Sequence, residues 1–155
     1  MLSRERTYRW LAEAIATARQ RLAFRLWAYV FMPEHVHLLI HPGDRDYRMK
    51  VILWRIKRPV GCKAIAFLEH NAPHWLIHLT VPRSDGIIER RFWQAGGGYD
   101  RNITDPDTAR QVIDYIHNNP VRRGLVRSPE EWFWSSARWY AGIRPVPLEI
   151  DPRLL

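Results

Sequence analysis

The chain has one cysteine among its 155 residues and no apolar run long enough to cross a bilayer. A single cysteine, Cys62, excludes an internal disulfide and a zinc site built from several cysteines. A membrane-spanning helix needs about 20 consecutive apolar residues. The first residues also lack the apolar core of a secretory signal peptide. We therefore expect a soluble, cytoplasmic protein with no membrane partner.

Acidic residues are few relative to basic ones. The sequence has 24 Lys and Arg against 16 Asp and Glu, a net charge of +8 and a pI near 10.2. This excess favours a polyanionic partner, and nucleic acid ranks before a membrane surface. A basic protein without an anionic partner is the alternative that charge alone leaves open.

Helical periodicity marks three stretches of the chain. Apolar residues recur at three- and four-residue spacing and predict helices at 8–21, 46–58 and 60–69, with Pro59 interrupting the second. The clearest late helix is capped by Asp105 and runs to about Asn119, where Pro120 should stop it. No repeat or linker divides the chain, so one domain is expected.

Apolar runs bounded by turn residues predict the strands. The expected strands are 24–32 and 35–40, joined by a turn at Pro33, with a short strand at 77–81 and a strand or loop at 90–94. Helices and an antiparallel sheet in this order indicate an α+β sandwich with the helices on one face of the sheet. We assign residues 1–142 to the domain and residues 143–155 to a proline-rich, extended tail.

Two histidines alternate with a valine in the second predicted strand, in the order His35, Val36, His37. Side chains alternate faces along a strand, so both imidazoles lie on one face and can chelate one divalent metal ion. Such a pair also occurs without a metal, as ordinary surface or core histidines. His41 has the same strand parity and could complete a three-histidine zinc site.

On the late helix, Tyr115 and Asn119 are one turn apart and share a face, whereas His117 lies roughly opposite. A tyrosine hydroxyl is a weak nucleophile because its pKa is about 10. A metal ion that polarises a phosphate makes attack feasible, and the products are a phosphotyrosine and a free 3′ hydroxyl. Asn119 can supply a third metal ligand. The alternatives are a packing tyrosine and an asparagine that caps the helix.

Three segments, 27–40, 90–93 and 114–126, closely resemble the IS200-like transposase family and, within it, the REP-associated tyrosine transposase branch. These proteins are HUH single-strand DNA nucleases with one catalytic tyrosine. The resemblance runs from about Tyr8 to Tyr140. It implies a ferredoxin-like α+β fold, Mg²⁺ or Mn²⁺ as cofactor, and a 5′-phosphotyrosine intermediate. Residue by residue, His35 and His37 match the metal ligands, Tyr115 the nucleophile and Asn119 the residue that completes the metal shell.

Relatives in this family usually carry an N-terminal strand before the first helix, and this sequence starts almost at that helix. We therefore expect a sheet without the family's first strand. A chain that lost catalysis together with that strand would be a hairpin-DNA-binding module, which is the alternative function.

Basic residues fall into three groups that suit single-stranded or hairpin DNA. The expected DNA-binding residues are Lys50, Arg55, Lys57 and Arg58, then Arg90, Arg91, Trp93 and Arg101, and finally Arg122 and Arg123. Cations pair with phosphates and aromatic rings stack on bases. Trp93 could equally belong to the core. The chain is expected to act as a monomer or a homodimer on the nucleoid.

Overall fold

The computed structural model of the chain describes residues 5–83, 85–94 and 100–151. The helices and strands in chain order are α1 Glu5–Leu22, β1 Arg25–Phe31, β2 Val36–His41, α2 Met49–Asn71, β3 Thr80–Pro82, β4 Ile88–Arg90, α3 Pro106–Arg122 and α4 Ala137–Tyr140. Two 3₁₀ helices, Pro73–Leu79 and Pro129–Glu131, lie between them. The predicted α+β class with antiparallel strands is confirmed.

The hairpin of β1 and β2 organises the molecule. Its strands pair antiparallel, with Phe31 opposite Val36 and Val30 opposite His37, and the register shifts between Leu26 and Ala28. The strands are joined by a tight turn in which the Met32 amide donates to the His35 carbonyl at 2.8 Å. This turn fixes the register that decides which face each histidine occupies.

Helices cover both faces of β1, and the prediction of helices on one face is wrong. On one face, Tyr29 and Phe31 pack in a core with residues of α1 and α2. On the other, Val30 packs with Ile113 and Ile116 of α3. The physical reason is that β1 is apolar at almost every position, so side chains on both faces need to be buried.

Two prolines that were expected to end helices lie inside them. Pro59 is within α2, which continues for twelve further residues to Asn71, and Pro120 is within α3. A proline removes one backbone hydrogen bond and costs about 3 kcal/mol in a helix interior. Burial of Ile56 and Val60 in the core next to Pro59 offsets that cost.

Glycine ends α3 in place of the proline. Gly124 has φ of +67°, in the left-handed region that favours glycine. Its amide donates to the Val121 carbonyl, and the Leu125 amide donates to the Pro120 carbonyl, both at 2.9 Å. These two bonds form a Schellman motif, which satisfies the last carbonyl groups of the helix.

The second sheet is a small hairpin in which β3 pairs antiparallel with β4. The strand predicted at 77–81 is wrong in its bounds, because Pro73–Leu79 form a 3₁₀ helix that begins with a proline. Only Thr80–Pro82 are extended. In the stretch 90–94, only Arg90 belongs to a strand and the following residues form a loop.

The segment after α3 returns to β1 and covers its outer edge. The Ser136 amide donates to the Tyr29 carbonyl and the Asp151 amide to the Leu26 carbonyl, each at 2.9 Å. Leu148 is buried in the core with α1. The described part of the predicted tail, residues 143–151, therefore packs on the domain, and its assignment as a separate region stays a prediction. Across the described residues, no helix combines the length and apolarity needed to span a membrane.

Candidate metal and tyrosine site

The histidine pair lies on the face of the hairpin that packs against α3. His37 is opposite Val30, which belongs to the α3 side of the core. His35 precedes β2, and its ring centroid is 4.8 Å from that of His37, with the ring planes at 83°. The two imidazoles therefore meet, as the alternation of side chains predicted.

Both imidazoles favour the neutral form. Burial lowers the pKa of His35, the nearby Arg123 charge lowers it further, and Glu34 opposes this. Burial also lowers the pKa of His37, as does the charge of His35, while a hydrogen bond with the Asn119 side chain acts in the opposite direction. A neutral imidazole is the form that binds a metal ion, so the pair is ready for ligation near pH 7.

Asn119 links the tyrosine to the histidines. It is buried, and its Nδ2 atom donates to the Tyr115 carbonyl at 2.7 Å. That bond orients the amide and leaves the Oδ1 atom as its acceptor. Oxygen of this kind is a ligand that Mg²⁺ and Mn²⁺ accept.

The donor atoms fit a divalent metal ion. The Nε2 atom of His37 is buried without a hydrogen-bond partner. An unsatisfied buried polar atom costs about 1–3 kcal/mol, and ligation of a metal would relieve that cost. His35, His37 and Asn119 together offer two nitrogen donors and one oxygen donor, a mixture that suits Mn²⁺ at least as well as Mg²⁺.

Tyr115 stands beside this donor set and reaches solvent. Its side chain is 46% exposed, and its ring centroid is 5.6 Å from that of His37. The guanidinium carbon of Arg122, two helical turns further along α3, is 5.4 Å from the tyrosine ring centroid. An exposed phenol next to two neutral imidazoles and a cation is accessible to a phosphate group bound at the site.

Two other histidines, His41 and His117, do not join the site. The His41 ring packs on Trp27 at 4.9 Å between centroids. Within residues 5–83, 85–94 and 100–151, no group of three or more His, Cys, Asp or Glu side chains could hold a metal ion. A three-histidine zinc site with His41 therefore has no support. His117 faces away from Tyr115 and is buried against Ser136.

The predicted DNA-binding residues are spread over both sides of the molecule. Arg122 contacts Tyr115, and the charge of Arg123 acts on His35, so these two border the site. Lys50, Arg55, Lys57 and Arg58 lie on α2, which packs on the opposite face of β1 from the histidine pair. These four residues are not brought to the tyrosine.

The remaining members of the predicted set are mostly engaged within the protein. Arg90 forms an ion pair with Glu69, and Arg91 with Glu89. Trp93 is half-buried and donates its Nε1 hydrogen to the Lys57 carbonyl at 2.7 Å. Arg101 is exposed. A role in DNA binding stays a prediction for each of them.

Sequence reasoning passed over one aromatic residue among the α2 cations. The Trp54 side chain is 50% exposed, and the guanidinium carbons of Arg55 and Arg58 are 5.4 Å and 5.1 Å from its ring centroid. The signal that could have identified it is the spacing of four residues between Trp54 and Arg58, which places them on one helix face.

The chain is similar to known proteins in sequence and in fold. No family model matches the chain. It is 27% identical over 133 residues to a Haemophilus influenzae protein provisionally named a REP-associated tyrosine transposase, and 28% identical over 133 residues to the REP-associated tyrosine transposase of Escherichia coli. Each match covers 83% of this chain, and the matches cover 65% and 64% of those two relatives. The chain thus spans less than two thirds of their length.

One solved structure, of a REP-associated tyrosine transposase bound to a REP hairpin, aligns with a TM-score of 0.61 at 23% sequence identity. The alignment covers 95% of this chain and 76% of that one. This likeness shows that the two proteins have the same fold.

Proposed function

We propose a function for this chain from its resemblance to the IS200-like, REP-associated tyrosine transposases. The motifs of the sequence predicted this resemblance, and the two similar proteins described above support it. The chain is a metal-dependent single-stranded DNA endonuclease and transesterase, a transposase that acts on DNA flanking a hairpin. The observation that carries this proposal is the position of an exposed Tyr115 with its ring 5.6 Å from the His37 ring.

His35, His37 and Asn119 would hold Mg²⁺ or Mn²⁺, which would polarise the scissile phosphate and neutralise charge that develops on it. The Tyr115 Oη atom forms a bond to phosphorus as the phenol passes its proton to water. The bond from phosphorus to the 3′ oxygen breaks, and that oxygen takes up a proton from water. The products are a 5′-phosphotyrosine and a free 3′ hydroxyl.

Rejoining runs the same exchange in reverse. A 3′ hydroxyl attacks the phosphotyrosine, the new phosphodiester forms, and the phenol is restored. One phosphate ester replaces another in each direction, so the cycle needs no ATP. Arg122, whose guanidinium carbon is 5.4 Å from the centroid of the Tyr115 ring, would stabilise negative charge that develops on the phenolic oxygen.

The DNA partner is supported by charge and by the related structure. The chain carries a net charge of +8, and two exposed arginines border the site, Arg122 beside Tyr115 and Arg123 near His35. The solved relative is bound to a REP hairpin. Single-stranded DNA beside such a hairpin is the substrate that we propose, which also places the protein in the cytoplasm with the nucleoid.

The test is a denaturing gel with labelled single-stranded hairpin DNA, run with Mn²⁺, with EDTA, and with the variants Tyr115→Phe and His37→Ala. We expect a covalent protein–DNA band with Mn²⁺ that disappears with EDTA and in both variants. Tyr115→Phe should still shift the DNA on a native gel. DNA that is shifted but never cut by the unaltered protein would contradict the transesterase and indicate a hairpin-binding module.

A further inference from the structure

An open groove of about 300 Å³ lies between α1 and α2. The lining residues that matter here are Trp10, Arg21, Trp54, Arg55, Arg58 and Cys62. Both helices pack on the face of β1 opposite α3, so the groove and the tyrosine site belong to different sides of the molecule. None of His35, His37 and Tyr115 lines it.

The groove presents an aromatic surface to solvent. Trp54 is half exposed, although indole rings are usually well buried in folded proteins. Its ring is flanked by the guanidinium groups of Arg55 and Arg58, at 5.4 Å and 5.1 Å from the ring centroid. A ring in this setting offers stacking area directly beside two positive charges.

Three of the groove's cations have no acidic partner. Among the described residues, Arg21, Arg55 and Arg58 form no ion pair with a carboxylate, whereas Lys63 at the same groove is paired with Glu13 at 2.6 Å. Arginine that forms no ion pair is available to phosphate, which it binds through two parallel hydrogen bonds. The groove thus combines arginines that form no ion pair with a half-exposed indole ring.

We propose that the α1–α2 groove is a second nucleic-acid site, which binds a single strand with a base on Trp54 and its phosphates on Arg55 and Arg58. A duplex keeps its base faces stacked inside, so only an unpaired strand can use the ring. A strand held here lies away from Tyr115. This inference goes beyond the cleavage reaction, because the groove holds unpaired DNA whether or not the tyrosine is active.

Cys62 offers a direct reporter of the groove. It is exposed, lines the groove, and is the only cysteine of the chain. We expect a hairpin-free oligonucleotide of about twelve thymidines, within the usual size of a single-strand site, to slow alkylation of Cys62 at least about fivefold. The experiment uses the unaltered chain, in EDTA so that no cleavage occurs. A duplex of equal length should protect less.

Variants separate the groove from general electrostatics. Trp54→Ala should weaken binding of the same oligonucleotide about tenfold by fluorescence anisotropy and abolish the protection of Cys62. Arg58→Gln should weaken binding and keep the fold, because the side chain is exposed. The matched control is Trp75→Ala, since Trp75 is 54% exposed but does not line the groove.

Three outcomes would overturn the proposal. They are unchanged alkylation of Cys62 with saturating oligonucleotide, equal protection by duplex, and equal loss of affinity in Trp54→Ala and Trp75→Ala. Alkylation and anisotropy are both measured in EDTA, where neither needs cleavage by Tyr115. Failure of the cleavage reaction therefore leaves this test intact, and failure of this test leaves the cleavage reaction intact.

Discussion

At the scale of single residues, Asn119 holds the candidate site together. Its amide nitrogen is bonded to the carbonyl of Tyr115, and its side chain also interacts with His37. Tyr115 lies on α3, whereas His35 and His37 lie at or next to β2, so their relative position depends on how α3 packs against the hairpin, and the contact of Asn119 with His37 is part of that packing. Asn119 would thus serve both as a ligand and as an anchor for the helix that carries the tyrosine.

Arg122 provides the first prediction. Arg122→Gln removes the cation beside the Tyr115 ring, and we expect covalent adduct formation to slow by about tenfold or more, because that cation no longer stabilises the charge that develops on the phenolic oxygen. The measurement is the rate of adduct formation with saturating hairpin DNA and Mn²⁺. The matched control is Arg110→Gln on the same helix, where the exposed Arg110 is paired with Asp107.

Equal slowing in both arginine variants would show that Arg122 contributes only general positive charge. A lower affinity for DNA with an unchanged rate at saturation would assign it to DNA binding alone.

The sequence predicts which candidate side chains lie close together, but not the packing around them. Strand alternation and helical spacing place His35 with His37 and Tyr115 with Asn119. The unpartnered nitrogen of His37 depends on how α3 packs against the hairpin. Residue spacing within one helix or strand does not predict how two elements pack against each other.

At the scale of secondary-structure elements, helix α2 contains a glycine and helix α3 ends at one. Gly61 lies inside α2, where an added Cβ would be 3.7 Å from the nearest atoms of Trp93. Gly124 ends α3 with a positive φ, and an added Cβ there would meet nothing within 4 Å. Alanine at Gly61 therefore tests whether a Cβ atom fits, and alanine at Gly124 tests the strain of a positive φ.

Alanine at these two positions should change stability in opposite directions. Gly61→Ala should raise the free energy of unfolding by about 0.5–1 kcal/mol, because alanine restricts the unfolded chain and fits at ordinary contact distance. Gly124→Ala should lower it by about 1–2 kcal/mol, because alanine is strained in the left-handed region. Urea unfolding of the two variants beside the unaltered chain measures both changes, and a loss of stability in both would contradict the first expectation.

Element order was predictable and some element ends were not. Periodicity located α1, the β1–β2 hairpin and α3, because each buries a continuous apolar face. The helix ends predicted at Pro59 and Pro120 were wrong. The rule that proline stops a helix takes no account of the stabilisation gained when neighbours such as Ile56 are buried. The placement of α3 on the second face of β1 requires knowing which apolar surfaces remain uncovered after α1 and α2 have packed.

At the scale of the whole molecule, a buried polar network joins three parts of the chain. The Nε2 atom of His117 is 2.8 Å from the Ser136 hydroxyl, and that hydroxyl donates to the Tyr29 carbonyl at 3.1 Å. The network connects α3, the segment before α4, and β1. Burial lowers the pKa of His117 to about 4, and the carboxylates of Asp114 and Glu130 oppose this shift.

This network predicts a loss of stability in mild acid. An unfolded histidine takes up a proton near pH 6.5, whereas folded His117 does so only near pH 4. Neutral His117 therefore adds to the free energy of unfolding. This addition, at most about 3 kcal/mol, is fully present above pH 6.5 and is lost as the pH falls toward 4. Urea midpoints at pH 7 and pH 5, measured without metal, should therefore differ more for the unaltered chain than for His117→Gln, in which that group cannot titrate. Parallel midpoints would assign the acid effect to other groups.

The outer edge of β1 is completed by residues made long after it. Ser136 follows its partner Tyr29 by 107 positions, and Asp151 follows Leu26 by 125. During synthesis, β1 and β2 leave the ribosome well before these segments, so the outer backbone groups of β1 stay open until more than 100 further residues have been made. An open strand edge is a template for pairing with another chain. The segment after α3 therefore covers the strand edge only when it has been made. A ribosome stalled after α3 would hold a chain that is prone to aggregate, although its candidate catalytic residues are already made.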